Sequence, residues 1–526
     1  MTGGPAASRS TLLEWLGLAA AVLLAAGLAW PLRAYVTDDT YIHLQYARHV
    51  AHGDGFVFNT GERVYGTTSP LWVLLIADAM AIGVDGLLAA RLLGAACTLA
   101  SIVLWFALVR RTLERPWLRV AATLVWAAHA WMLRWSLSGM ETPLATSLVL
   151  GGALAFAWSR PWGAGRAGLA SLLWALAALA RPECALLLPL WALLLAFDLG
   201  LGAGLHEAAR GLWPGGLVLA GWLGWARVWF GRFWPNTLAA KAAGGTGLDY
   251  HLEQLARQVG IVLATDAVLG LALVLALAAR VARREGVSLR PSVRLLPWVW
   301  AAAIPLLYIV RGVPVLSRYL VPLLPLGAWL AWRELDRWQG GVARSKSPAS
   351  DATRRGSARS AVAAAVAVFA IVENLVVWTR VVKPQVDSFS AGMQASLVPW
   401  GRWFAAHAPA DAVIAAPDIG ALGYLSQRRV LDLAGLVSPE MVPILRRMSQ
   451  EDATARFEFT RFARPDYVVD RAPRAWDLER RSAWAASLAR IGHASLPNLG
   501  IARPVPTVYS FYRIEWAAYD SLAGTR

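Results

Sequence analysis

Charge is what this chain is short of. Only 16% of its 526 residues are Asp, Glu, Lys or Arg, while 57% are hydrophobic; an average globular domain carries far more charge. That shortage excludes an ordinary soluble fold, because the apolar residues come in repeated blocks of roughly 16–25, the length of a membrane span. Acids are scarcer still, with 34 Asp and Glu against 50 Lys and Arg and a net charge of +16. The basic excess does not point to nucleic acid. No RNA-binding motif or basic–aromatic stripe is present, and the basic residues fall mostly in short loops between apolar blocks. Cysteine is nearly absent: Cys97 and Cys184 both lie in or beside apolar segments, so no disulfide framework is implied. Also missing are a GxxxxGK[ST] loop, a Gly-rich dinucleotide fingerprint, an HExxH pair and a nucleophile elbow. What abounds is tryptophan, 28 residues, as in membrane-interface belts.

Twelve apolar blocks run at about 12–32, 70–84, 88–109, 118–136, 143–158, 167–180, 184–200, 211–230, 255–280, 296–310, 314–332 and 361–380. The first reads as an uncleaved span rather than a signal peptide, since no clear small-residue cleavage site follows it. Counting all twelve as spans would put Arg110, Arg111, Arg115, Arg119, Arg280, Arg283, Arg284, Arg290 and Arg294 on the outer face. The block at 70–84 is short, starts at Ser69-Pro70 and carries Asp78. Read as an interfacial or re-entrant helix, it moves every basic cluster to the cytoplasmic side with the N-terminus. The prediction is an α-helical polytopic membrane protein of about eleven spans plus an interfacial helix, in a multi-pass arrangement in the cell membrane.

The same choice gathers the unusual polar loops on the outer face. These are a first loop over 34–86, SGMETP (138–143), ARPE (180–183), FWPNTLAAK (233–241), VPVLSRY (313–319) and all that follows Arg380. Polar motifs scattered in sequence but sharing one face are what a single site between helices produces. From about 381 to 526 the apolar runs shorten to strand length, at AVIAA (412–416), YVV (467–469) and VYSFYRI (508–514), with turn residues between them. A C-terminal α/β domain outside the membrane is expected there, after a helical module over 1–380. Residues 333–360 read as a cytoplasmic linker, and its stretch 340–360, GGVARSKSPASDATRRGSARS, as disordered.

Asp38 and Asp39 open the first loop. Acids there suit the first turn of a helix begun by Thr37 or Asp38; they also suit a general base and a substrate or cation ligand. His43 follows Asp39 by one helical turn, so the two could share a divalent cation (Mg2+, Mn2+ or Ca2+). Glu141 reads as a first-turn acid before Pro143 or as a ligand for sugar hydroxyls. Arg181 and Glu183 read as an interfacial ion pair, or as a headgroup cation beside an orienting acid. Asn236, Lys241 and Arg318 stand at outward loop edges. Lys241 and Arg318, with Arg181, are the cations a phosphate leaving group needs, and each singly also suits a snorkelling interface residue.

The run DDTYIHLQYARHVAHGDGFVFNTGERVYGTTSPLW resembles the first outer loop of GT-C-fold, polyprenyl-phosphate-sugar-dependent glycosyltransferases. It is most similar to the terminal arabinofuranosyltransferases of mycobacterial cell-wall synthesis and their bacterial relatives. SGMETPL, ARPE, PNTLAAK, SRYLVPLLP and PDIGALGYLSQRRVLDLAGL extend the resemblance in order over about 35–440. It implies a base in the first loop, matched by Asp38 with Asp39 as second acid, and a transfer that inverts the sugar. The implied donor is a polyprenyl-phosphate sugar, arabinofuranose or another pentose or hexose, entering from the bilayer. The implied acceptor is a glycan, a lipid-linked saccharide or a protein. Gln45 stands where relatives often carry Arg, and Tyr65 where the arabinosyl branch often carries Glu. The rival class is a lipid-linked-saccharide transporter, which would hold its charges near mid-membrane rather than at one set of span ends.

Overall fold

The apolar blocks form helices, which satisfy every backbone group internally where no water can. The structure, a computed structural model, describes residues 5–158, 164–237, 247–282, 295–340, 349–497 and 506–524. The helical module comprises α1 Pro5–Ala29, α2 Asp38–His52, α3 Pro70–Ala81, α4 Gly86–Thr112, α5 Pro116–Ala127, α6 Ala130–Ser136, α7 Thr142–Trp158, α8 Ala164–Ala180, α9 Leu187–Leu199, α10 Leu201–Phe230, α11 Leu248–Ala282, α12 Leu296–Val310, α13 Ser317–Leu320, α14 Leu324–Gly340 and α15 Ala349–Val377. Among the described residues, five helical stretches are long and apolar enough to cross a membrane by length and composition: Thr11–Leu32, Gly86–Thr112, Pro182–Leu199, Leu248–Ala282 and Gly356–His407. Helix α3 has 12 residues, about 18 Å, too short for a hydrocarbon layer of about 30 Å. That length matches the interfacial reading. Buried tryptophans, among them Trp72, Trp105, Trp174 and Trp332, fill the spaces between helices.

Three expectations need correction. The block at 118–136 is two helices, broken at Ala128, with the His129 ring accepting from the Met132 N–H. The block at 314–332 begins with the four-residue α13, and its long helix starts only at Leu324. The stretch expected to be disordered, 340–360, is helix where it is described: α14 ends at Gly340 and α15 begins at Ala349. Polar side chains across 333–360 have partners, which composition alone does not reveal. Arg115 pairs with Asp336 at 2.6 Å, Arg337 with Glu334 at 2.5 Å, and Arg359 donates to the Trp338 carbonyl at 2.8 Å. Residues 341–348 of that segment lie outside the described residues. The domain boundary placed at 380 falls within a continuous helical run, where α15 passes through Trp378–Val382 into α16 Lys383–Ala395 and then α17 Leu397–His407.

The tail domain is a five-stranded sheet in the order β2-β1-β3-β5-β4. Its strands are β1 Val413–Ala416, β2 Arg429–Asp432, β3 Tyr467–Ala472, β4 Leu488–Leu496 and β5 Thr507–Ile514, with helix α18 Gly420–Ser426 linking β1 to β2. Strand β1 is parallel to both β2 and β3; β5 runs antiparallel to β3 and β4. The three strands read from sequence are β1, β3 and β5. Strand β2 is four residues long and β4 alternates only weakly, so neither announces itself. Helix α17 seals one face, its Trp400 stacked on Phe511 at 4.0 Å between ring centroids. Because β1 lies between β2 and β3, its neighbours are reached in opposite directions. Their carboxyl ends share one edge, the place where open α/β sheets form a crevice.

Candidate active site

Thr37 caps α2, its hydroxyl accepting from the Thr40 N–H at 3.3 Å, and this leaves Asp38 and Asp39 in the first turn. The two acids then face different walls. Asp39 accepts from the Arg318 guanidinium of α13. Asp38 reaches the tail domain, accepting the Gly420 N–H at 2.8 Å and the Ala421 N–H at 2.7 Å. A Cβ on Gly420 would sit 1.9 Å from the Asp38 carbonyl oxygen, so only glycine permits this approach.

Both acids border a cavity of about 720 Å³ between the helical module and the tail domain. Glu141, Arg181 and Glu183 also line it. The SGMETP loop is held by Thr40, which donates to the Ser138 carbonyl at 2.9 Å, and by Trp72, whose indole donates to the Gly139 carbonyl at 2.9 Å. Gly139 has φ +78, a left-handed turn that aims Glu141 inward. Pro182 forces Arg181 into extended backbone and ends α8. The Arg181 side chain then bridges Glu141 and Glu183, each at 2.6 Å. His43 lies 3.4 Å from the other Glu141 oxygen. The Tyr319 ring lies against both guanidinium groups, 4.7 Å from Arg181 and 5.2 Å from Arg318.

The electrostatics separate the acids further. Burial and the neighbouring Asp418 carboxylate push the Asp38 carboxyl up to about 7, against the pull of its two backbone donors. Burial alone would raise Glu141 too. There the His43 hydrogen bond and the Arg181 charge prevail and hold it well below the usual carboxylate range. Asp432 rises to about 6 through burial, opposed by the Val437, Ala434 and Leu436 N–H groups.

Of the residues read from sequence, Asp38, Asp39, His43, Glu141, Arg181, Glu183 and Arg318 meet around this cavity. Asn236 is buried behind its wall, its N–H donated to the Tyr65 carbonyl at 2.8 Å and its amide oxygen held by Arg232. Lys241 lies outside the described residues. Tyr65 borders the cavity, stacked on Phe230. Gln45 does not, because its amide donates to the Phe58 carbonyl at 3.0 Å inside the loop.

The two residues read as sharing a divalent cation, Asp39 and His43, have other partners here. Asp39 is turned to Arg318 and His43 to Glu141, and among the described residues no group of three or more His, Cys, Asp and Glu side chains is arranged to hold a metal ion. The reading from sequence missed Asp418, Asp432 and Arg471 as site residues. Asp418 and Asp432 both stand in the PDIGALGYLSQRRVLDLAGL run, directly after or at the end of a short strand, which is the signal that was available.

A helical membrane module carrying a small sheet domain defines a class by its fold, and known structures are similar to this chain in fold. ArnT from Cupriavidus metallidurans bound to undecaprenyl phosphate superposes with a TM-score of 0.57 at 16% identity, over 95% of this chain and 98% of that one. The Archaeoglobus fulgidus oligosaccharyltransferase in its apo form gives 0.58 at 12% identity, over 87% of this chain and 69% of that one. Arabinofuranosyltransferase AftD from Mycobacteria gives 0.51 at 16% identity, over 94% of this chain and 41% of that one. The fold is GT-C. Residues 388–512 match a domain of unknown function, DUF8728. No curated protein matches by sequence.

Proposed function

We propose that this chain is a membrane glycosyltransferase that moves a sugar from a polyprenyl-phosphate donor to an acceptor hydroxyl, with Asp38 as general base. One observation carries the reading: Asp38, with its carboxyl pushed up to about 7, borders a large cavity whose neighbouring wall sets Arg181, Arg311 and Arg318 among Asp39, Glu141 and Glu183. A base titrating close to the operating pH is well matched to taking a hydroxyl proton. As the acceptor oxygen bonds to the anomeric carbon, the proton passes to Asp38 and the carbon–oxygen bond to phosphate breaks. Attack opposite the leaving group inverts the sugar. The departing phosphate is already a stable anion, so it needs cations rather than a strong acid. Arg318 suits that role, since among the described residues its Nε has no hydrogen-bond partner, and its Nη1 donates to the Met140 sulfur at a long 3.8 Å. Arg181, fixed by two glutamates, adds charge and shape. A hydrolytic mechanism needs a free protonated carboxyl opposite the base, and Glu141 is tied to Arg181 and His43.

The ArnT structure holds undecaprenyl phosphate, and the Archaeoglobus enzyme has been seen with a dolichol-phosphate and an inhibitory peptide. Both support a lipid-phosphate donor here. The positive-inside pattern supports a cavity and tail domain on the extracytoplasmic side. The test is transfer from radiolabelled polyprenyl-phosphate sugars by full-length protein in proteoliposomes. Labelled product is expected with at least one donor. Lipid-linked sugar that crosses the vesicle unchanged, with no transfer from any donor, would establish the transporter instead.

A further inference from the structure

We infer that the crevice at the carboxyl ends of β1, β2 and β3 binds the acceptor, and that it selects a neutral polyhydroxyl group over a phosphorylated one. This rests on the transferase reading above and adds the acceptor's chemistry.

The first ground is topological. β1, β2 and β3 are parallel, and β1 sits between the other two. Their carboxyl ends deliver Asp418 just after β1, Asp432 at the end of β2 and Arg471 near the end of β3. All three line the cavity. Ligands of open α/β sheets lie in the crevice at such a switch point.

The second ground is how these groups are held. Asp418 is fixed by Arg471, whose Nη1 lies 2.9 Å from each carboxylate oxygen, and by the Tyr509 hydroxyl at 2.7 Å. Asp432 is fixed by the Ala434 N–H at 2.8 Å and the Val437 N–H at 2.9 Å. Rigid carboxylates with spare lone pairs accept hydroxyl hydrogens in a set geometry.

The third ground is charge. Asp38, Asp418 and Asp432 bring three carboxyl groups to this end of the cavity, and among the described residues Arg471 is the one cation that lines it alongside them from the tail domain. A phosphate brought there meets like charge in a partly desolvated place, which disfavours it strongly. Hydroxyl donors relieve the same repulsion. The other end sets Arg181, Arg311 and Arg318 against Asp39, Glu141 and Glu183, three cations to three acids, so a donor phosphate meets less net negative charge there than at the tail-domain wall. Asp38 stands between the two ends, bonded to the tail domain yet adjacent in sequence to the acid that holds Arg318.

The test is binding to full-length protein in nanodiscs by saturation-transfer NMR. The probes are methyl α-arabinofuranoside, methyl α-mannopyranoside and methyl α-glucopyranoside, beside mannose 6-phosphate and glucose 6-phosphate. At least one neutral glycoside should bind more tightly than either sugar phosphate, and Asp418→Asn should weaken it about tenfold. Asp418→Glu should restore part of that loss. Undecaprenyl phosphate binding to Asp418→Asn should stay as in the wild type, which also reports an intact fold. Equal binding of neutral and phosphorylated sugars overturns the inference, as does neutral binding indifferent to Asp418→Asn or absent altogether. Asp418-dependent glycoside binding without transfer from any polyprenyl-phosphate sugar overturns the transferase reading alone.

Discussion

At Asp38, burial and Asp418 raise the carboxyl while two backbone N–H groups lower it, and it settles at about 7. The charged partners facing it are Asp39 on its own helix and Asp418 from the tail, with Tyr41 and Tyr509 close enough to feel its charge. A base works only when ionised, so activity should climb as pH rises through about 7. Removing the like charge should let Asp38 ionise earlier. In Asp418→Asn the acid limb of the kcat/KM profile should therefore move to lower pH, and a limb that stays put or moves up contradicts the assignment. Arg181 poses a different residue-scale question, because it is buried between Glu141 and Glu183. Arg181→Leu strands both acids and should cost about 3–5 kcal/mol of stability. Thermal unfolding in detergent would show it as a clear drop in midpoint.

Among the elements, α11 holds a break that its apolar sequence conceals. At Asp266 the backbone leaves helical geometry, with φ −130. The N–H groups of Ala267 and Val268 then lack their usual partners. Glu373 of α15 accepts both, at 2.9 and 3.3 Å, while Asn374 beside it accepts from the Ala130 N–H at the start of α6 at 2.9 Å. One turn of α15 thus caps two broken helices. Glu373→Ala should destabilise the protein by about 1–3 kcal/mol, since buried donors lose their acceptor. A midpoint unchanged from wild type in a thermal scan would contradict this capping role. Neither break carries proline or glycine at its centre, so the sequence predicted α11 unbroken and fused α5 to α6. Hydropathy is read per residue, whereas these breaks depend on partners far along the chain.

Across the whole molecule, legibility follows the same division. Helix positions were readable because each apolar block buries or exposes itself by local pattern. Half of the site was readable too, since Asp38, Glu141, Arg181 and Arg318 each interrupt apolar sequence at a cost that calls for a reason. The tail-domain half was not. Gly420 meets Asp38 across 382 residues, and Asp418 and Arg471 pair only once β1 and β3 stand side by side. Gly420 is where the two modules are joined most tightly. Gly420→Ala places a methyl against the Asp38 backbone and should cost about 1–3 kcal/mol. It should also lower transfer, while tail-domain far-ultraviolet circular dichroism stays as in the wild type. Full transfer with an unchanged midpoint would show that the contact yields freely.

The central claim is that Asp38, poised between the arginine wall and the tail domain, takes the acceptor proton. It is tested most directly by single-turnover transfer with Asp38→Asn and Asp39→Asn at saturating polyprenyl-phosphate sugar. The account predicts that Asp38→Asn slows the chemical step by about 10²–10⁴-fold while donor binding persists. Asp39→Asn should act mainly through Arg318, weakening donor binding. Transfer by Asp38→Asn at the wild-type rate would contradict it.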